Sequence, residues 1–204
     1  MKRILALLLC VGASAHAALI QIVTDNDFAL LTGTTTSITR LVYQSDFEWP
    51  DQIANAASFD LSLEAGENTI YILAMGGGGE ENVSGRINGV DISTLSNIQM
   101  STPVQGYLSG YNLFDVAAGT YSASLVDLQN AIPDLTWYTP TPGSGGVISA
   151  SGFELGYPFA DGSAVLLRFG ASEVGVPVGV PEPSAFSLLA VGLGVVLHRR
   201  RRTV

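Results

Sequence analysis

The stretch from Phe59 to Met75, which reads FDLSLEAGENTIYILAM, is typical of two strands joined by a turn. Its first part, Phe59–Leu63, alternates apolar and polar residues, which is the pattern of a strand with one buried face. The residues 65–68, Ala-Gly-Glu-Asn, then predict a turn. Thr69–Met75 is nearly continuously apolar, which predicts a buried strand.

Segments of the same kind recur along the chain and predict an all-β fold. Ile87-Asn88-Gly89-Val90 carries the Asn-Gly pair that is the strongest short-range hairpin signal. Further strands are predicted at Leu19–Val23, Thr34–Tyr43, Leu113–Val116, Tyr121–Val126, Val147–Phe153 and Ala164–Phe169. Roughly nine or ten short strands at such spacing indicate an antiparallel β-sandwich, jelly-roll-like in arrangement. The one helix predicted in this part of the chain is Asp51–Ala57.

Two turns carry a resemblance to a known fold. Glu64–Ile70, together with Ile87-Asn88-Gly89, resembles the turn motifs of galactose-binding-like and related carbohydrate-binding jelly rolls. The resemblance implies a fold relative, and it carries no ligand residues over to this chain.

The basic residues lie mainly at the two ends of the chain. Lys2, Arg3 and Arg199–Arg202 make up six of the nine, so residues 18–183 hold 3 Arg against 18 acids, a net charge of 3 − 18 = −15. Such a body cannot neutralise phosphates, which excludes nucleic acid as a partner. It also contains no Lys, His or Cys. This removes Ser-His-Asp and Cys-His catalysis, Schiff bases and the usual zinc sites.

The first 17 residues predict a secretory signal peptide. Lys2 and Arg3 precede the apolar run Ile4–Val11, and Ala15 and Ala17 supply the small residues of a signal peptidase cleavage site. The run is too short to span a bilayer, which needs about 20 residues. The alternative is a buried first helix or strand.

The C-terminal end has three parts in a fixed order. These are Pro181, Glu182 and Pro183, then the apolar residues 185–197, which we expect to form a short helix, and then Arg199, Arg200, Arg201 and Arg202. By the positive-inside rule the arginines stay in the cytoplasm while the apolar segment halts in the membrane. This arrangement predicts a stop-transfer device, with the body exported across the inner membrane.

The tail resembles the PEP-CTERM sorting signal of Gram-negative bacteria, and the resemblance covers residues 181–204. It implies that an exosortase, a membrane protease, acts at or near Pro181-Glu182-Pro183 and releases the body to the cell surface or the exopolysaccharide matrix. The alternative is a membrane anchor that is never cut. We therefore divide the chain into a signal peptide (1–17), a β-sandwich domain (18–170), a Gly/Pro/Val-rich linker (171–180) and a sorting segment (181–204).

Three aromatic residues in turn-like contexts are candidates for stacking on sugars. These are Trp49, which precedes Pro50, and Trp137 with Tyr138, which lie close to two prolines. The alternative is that these rings pack over a sandwich edge.

The acidic residues offer two further hypotheses. The oxygen-rich Asp25-Asn26-Asp27 is a candidate calcium site, although a turn with side-chain caps is the simpler interpretation. Asp46, Glu48 and Asp51 around Trp49 could supply the carboxylate pair of a glycoside hydrolase. Residues 76–82 predict a flexible, solvated hairpin loop, and the alternative there is a cation site.

The sequence thus predicts a noncatalytic, exported protein of the cell envelope or extracellular matrix, structural or adhesive in a biofilm setting, with no required cofactor. Its partners would be signal peptidase, exosortase, and extracellular polysaccharide or matrix proteins. The first alternative is a carbohydrate-binding module, and the second is the carboxylate-dependent hydrolase.

Overall fold

The computed structural model describes residues 18–45, 51–52, 56–79, 81–143, 153 and 155–177. The predicted signal peptide and sorting segment, with the apolar helix expected in each of them, lie outside these residues, as does most of the strand predicted at Val147–Phe153. Within the described part of the chain, no helix is long and apolar enough to cross a membrane.

Two antiparallel sheets make up the fold, as the sequence predicts. The strands in the described residues are β1 (Ala18–Thr24), β2 (Asp27–Thr34), β3 (Ser37–Gln44), β4 (Ala57–Leu61), β5 (Thr69–Met75), β6 (Asn82–Ile87), β7 (Val90–Asp91), β8 (Gln99–Ser101), β9 (Trp137–Tyr138), β10 (Tyr157–Pro158) and β11 (Ala164–Gly170). The first sheet has the order β10-β6-β1-β4, with β7 paired to β6, and the second has the order β3-β2-β5-β11-β8-β9.

Strand β5 lies in the middle of the second sheet and is buried along its whole length. Alternate side chains of a strand point to opposite faces. Ile70 and Ile72 accordingly join the core between the two sheets, while Tyr71 and Leu73 join a second core on the outer face. The predicted burial of Thr69–Met75 is therefore confirmed, and it arises from two separate apolar layers.

The outer layer is a helical cap, which we define as residues 104–135. It contains α1 (Leu113–Ala117) and α2 (Leu125–Ala131), so the strands predicted at Leu113–Val116 and Tyr121–Val126 are wrong. The segment supplies Val116 and Leu128 to the second core, where they pack with Leu73 and Leu166. Burial of this apolar surface favours the helices over the strand propensity of the local sequence.

Both cap helices begin with a side-chain cap that was readable in the sequence. The Asn112 side chain accepts a hydrogen bond from the Asp115 N–H at 2.9 Å, and Ser124 Oγ accepts one from the Asp127 N–H at 3.3 Å. A polar cap followed three residues later by an acid is an N-terminal helix signal. It outweighs the apolar runs that suggested strands.

One predicted hairpin is confirmed, while a predicted strand and a predicted helix are confirmed only in part. Asn88 and Gly89 have φ angles of 51° and 79° between β6 and β7, which confirms the Asn-Gly turn. The strand predicted at Thr34–Tyr43 is confirmed from Ser37 onward, where it forms β3, whereas Thr34 ends β2 and the chain turns at Thr35 and Thr36. The predicted helix Asp51–Ala57 is helical at its described first two residues, whereas its last residue belongs to β4.

A buried carboxylate, that of Glu67, holds the β2–β3 hairpin against the turn before β5. Its Oε1 accepts from the hydroxyls of Thr32 and Thr39, each at 2.6 Å, and its Oε2 accepts from Arg40 at 3.0 Å and from the Glu64 N–H at 2.7 Å. Burial by itself raises the pKa of Glu67. The hydrogen bonds from Arg40, Thr32, Thr39 and the Glu64 backbone outweigh burial and lower the pKa from 4.5 to about 2.

We predict that Glu67→Gln lowers the free energy of unfolding by about 2–4 kcal/mol, since it leaves Arg40 without its buried counter-charge. Glu64→Gln is the matched control, because the Glu64 side chain is 70% exposed, and it should change stability by less than about 0.5 kcal/mol. Urea unfolding at pH 7 measures both. Equal effects of the two substitutions would contradict the prediction.

The stabilisation by Glu67 also has a defined pH window. Because its pKa is lower in the folded protein, its contribution is complete above about pH 4.5 and declines as the pH falls toward 2. The difference between wild type and Glu67→Gln should therefore shrink over that range.

Candidate functional site

The candidate calcium residues lie at one end of the sandwich. Asp25 and Asn26 form the bend between β1 and β2, and Asp27 is the first residue of β2. We call this region the acidic end and define it as residues 25–27, 76–79, 81–82 and 161–162.

Backbone hydrogen bonds bring the separate segments of the acidic end together. The Asp25 N–H donates to the Asn82 carbonyl at 3.0 Å, and the Asn26 N–H donates to the Met75 carbonyl at 2.9 Å. Across the loop, the Gly79 N–H donates to Asp161 Oδ1 at 2.9 Å. Residues far apart in the sequence are thereby placed side by side.

Glu81 is the buried centre of this end, with only 3% of its surface exposed. Its Oε1 accepts hydrogen bonds from the Gly78 N–H at 2.8 Å and the Gly162 N–H at 3.3 Å. A Cβ at Gly76 would lie 2.4–2.8 Å from the Glu81 carboxyl group, so a larger residue there would displace this carboxyl group. The predicted solvated loop over residues 76–82 is thus wrong at Glu81 and Asn82, which pack into the protein.

The electrostatic environment opposes ionisation at the acidic end. Burial raises the pKa of Asp25 from 3.8 to about 6. Burial also raises the pKa of Glu81, and the nearby charges of Asp25 and Asp161 add to that rise, while hydrogen bonds from Gly78 and Gly162 oppose it. These carboxyl groups therefore carry their charges at a cost to the folded state.

The chemistry of the acidic end fits a metal ion only in part. Glu81 Oε2 and Asn82 Oδ1 are buried oxygens with no hydrogen-bond partner among the described residues, and oxygen is what calcium prefers. Asn26 Nδ2, also buried and unpartnered within the described chain, is a donor that repels a cation. Across the described ranges, no three His, Cys, Asp or Glu side chains are grouped to hold a metal. Calcium binding at Asp25-Asn26-Asp27 stays a prediction.

The candidate sugar-stacking residues of β9 have different surroundings. The Arg168 guanidinium lies 3.8 Å from the centroid of the Trp137 ring, and Tyr71 packs against the same ring at 6.2 Å. Trp137 is therefore partly covered, in keeping with the packing alternative. Tyr138 is 47% exposed, and its hydroxyl donates to Met100 Sδ at 3.0 Å. The third candidate, Trp49, lies outside the described residues.

Arg168 differs from the other two arginines of the body. Arg40 pairs with Glu67 and Arg86 with Asp91. Within the described residues, Arg168 has no carboxylate at ion-pair distance. It is held instead by the indole ring of Trp137 and by neutral oxygens.

The carboxylate pair of the hydrolase hypothesis stays a prediction. Asp51 is exposed, while its intended partners Asp46 and Glu48 lie outside the described residues.

The fold and these two regions define an antiparallel β-sandwich whose second sheet is covered by a helical cap. Comparison of the chain with protein-family models, with curated proteins and with solved structures finds no match.

We predict that the free energy of unfolding rises as the pH falls from 7 to 5. Asp25 has its higher pKa in the folded state, so the folded protein holds this proton more tightly than the unfolded chain does. The stability that the bound proton adds is lost as the pH rises through about 6. Asp25→Asn should remove up to about 1 kcal/mol of that rise, because the part-exposed side chain is screened by solvent. Asp134→Asn, at an exposed position, is the control, and urea unfolding across this pH range is the measurement.

Calcium binding at the acidic end can be tested by thermal unfolding. If the ion binds at the acidic end, millimolar calcium raises the thermal unfolding midpoint at pH 7, and Asp25→Asn reduces the effect. Magnesium is the ionic-strength control. An unchanged midpoint in the wild type removes the hypothesis.

Proposed function

We propose that this chain is an exported, noncatalytic β-sandwich protein of the cell envelope or extracellular matrix, released by an exosortase. The observation that carries the proposal is that the folded body occupies the chain between the two predicted processing signals. Ala18, the residue after the predicted cleavage site, lies in β1 and is buried in the core between the sheets. At the other end, Val174 and Val176 are buried in the core between the sheets, a few residues before Pro181.

The composition of the body supports a structural or adhesive part in the matrix. Residues 18–183 contain no cysteine, so the body has no thiol that an oxidising environment outside the cell could modify. The excess of acids keeps separate copies soluble through mutual repulsion. Two stacked apolar cores make the body a stable unit for display outside the cell.

A carbohydrate-binding module is the second proposal. The exposed ring of Tyr138, on an edge strand beside Trp137, supports it. Because the body is strongly acidic, neutral glycans fit better than anionic ones. The carboxylate-dependent glycoside hydrolase is the remaining alternative, and lack of turnover of a polysaccharide panel by the purified protein excludes it.

Intact mass spectrometry of protein recovered from the cell surface or medium tests the export proposal. We expect a mass that lacks both the first 17 residues and the segment after the Pro181-Glu182-Pro183 motif. Recovery of surface protein that retains Arg199–Arg202 overturns the exosortase step. Retention of the first 17 residues overturns the signal peptide.

The processing motif can be tested by substitution. Replacing Pro181, Glu182 and Pro183 by alanine should leave the tail attached and hold the protein in the membrane fraction. Pro177→Ala, a proline change just upstream, should be processed normally. Equal processing of both variants contradicts a role for the motif.

A further inference from the structure

A trough lies at the end of the sandwich opposite the acidic end. It consists of two adjoining cavities of about 240 and 300 Å³, which share Asn97 and Gln99 as lining residues. The antiparallel pairing of β5 and β11 places Ala164 beside Met75 at the acidic end and Gly170 beside Thr69 at the trough end. Strands of seven residues separate the two regions by about 20 Å.

The lining of the trough combines apolar surface with polar side chains whose charges balance. The side chains used below are those of Thr35, Ser96, Thr139, Arg168 and Glu173, in addition to the two shared amides. One cation and one carboxylate leave no net charge in a body that is otherwise strongly acidic. The larger cavity is at the lower limit of the roughly 300–1,000 Å³ typical of ligand pockets, and the smaller one is below it.

The charged groups of the trough are held in place by the protein itself. Arg168 donates to Gln99 Oε1 at 2.9 Å and to the Thr35 carbonyl at 2.6 Å, with its guanidinium stacked on Trp137. Glu173 Oε2 accepts from the Asn97 N–H at 3.4 Å and from Asn97 Nδ2 at 3.3 Å. Fixed polar groups reduce the entropy lost when a ligand binds.

Two amide groups are available to a ligand. Gln99 uses its oxygen for Arg168, and Asn97 uses its nitrogen for Glu173 and Ser96. Among the described residues, Gln99 Nε2 and Asn97 Oδ1 therefore have no hydrogen-bond partner. One is a donor and the other an acceptor. A sugar hydroxyl both donates and accepts, so it can satisfy either group.

We propose that this trough binds a segment of a neutral glycan chain. Asn97, Gln99 and Arg168 would hydrogen-bond its hydroxyls. The proposal rests on the carbohydrate-binding alternative and assigns its site. It is independent of the exosortase step, which mass spectrometry tests separately.

The charges of the trough and of the body favour an uncharged ligand. A carboxylated polysaccharide would meet Arg168, but it would also meet Glu173 in the same cavity. At longer range it would be repelled by a body whose net charge is −15, from 3 Arg and 18 acids. A neutral chain meets neither penalty.

Isothermal titration of the full chain tests the proposal, with the protein purified in a detergent that has no sugar headgroup. The probes are a soluble β-glucan and a galactomannan, with alginate as the carboxylated comparison. We expect binding of a neutral polysaccharide that weakens about tenfold in Asn97→Ala and in Gln99→Ala, as for loss of a ligand hydrogen bond. Asn130→Ala, an exposed amide on α2 away from the trough, should bind as the wild type does.

A blocking variant guards against indirect effects of the alanine substitutions. Ser96→Trp, at an exposed turn position, should fill the trough and abolish binding, with the thermal unfolding midpoint confirming that the variant folds. Binding that survives in Asn97→Ala, Gln99→Ala and folded Ser96→Trp places the glycan elsewhere and overturns the site. Preference for alginate overturns the neutral class. Absence of binding to all three polysaccharides overturns the inference, while the export proposal stands or falls on the mass of the recovered protein.

Discussion

The structure depends on the burial of β5 on both faces. A strand in this position needs apolar side chains at every residue, and it needs a layer of protein on each side. The first sheet supplies one layer and the helical cap supplies the other, so both cores meet at Thr69–Met75. Neither layer can be lost without exposing half of this strand, and the cap is therefore part of the folding unit.

Polar groups enter this double core at its ends, and the two ends handle buried carboxylates differently. Glu67 is matched by Arg40, two threonine hydroxyls and a backbone N–H, which stabilise its charge. Glu81 receives two backbone N–H groups on one oxygen and has no cation close by in the described structure. The first arrangement stabilises the fold at neutral pH, whereas the second makes the charged form costly. A buried carboxylate thus stabilises the fold at one end and destabilises it in its charged form at the other.

Features of this fold with a local sequence signal are predictable from the sequence, whereas features set by contacts between distant residues are not. The sequence signals for the burial of Thr69–Met75 and for the Asn88-Gly89 turn each lie within a few neighbouring residues, and both predictions are confirmed. The helices α1 and α2 were missed, although the Asn112 and Ser124 caps were visible, because their apolar runs suit a strand equally well until the outer face of the second sheet is known. Asp25 was singled out, but Glu81 was not, because its burial comes from glycines and a loop remote in sequence.

By itself, the sequence determined the all-β class, the central buried strand, the acidity of the body and the order of the charged and apolar motifs at its two ends. These properties lie in composition, in the alternation of residues and in short motifs. The tertiary structure alone decided that the second sheet has a helical cap, that Arg168 stacks on Trp137, and that Asn97, Gln99 and Glu173 line one trough. The reason is that these contacts join residues tens of positions apart, and no local pattern encodes which distant side chain will lie opposite.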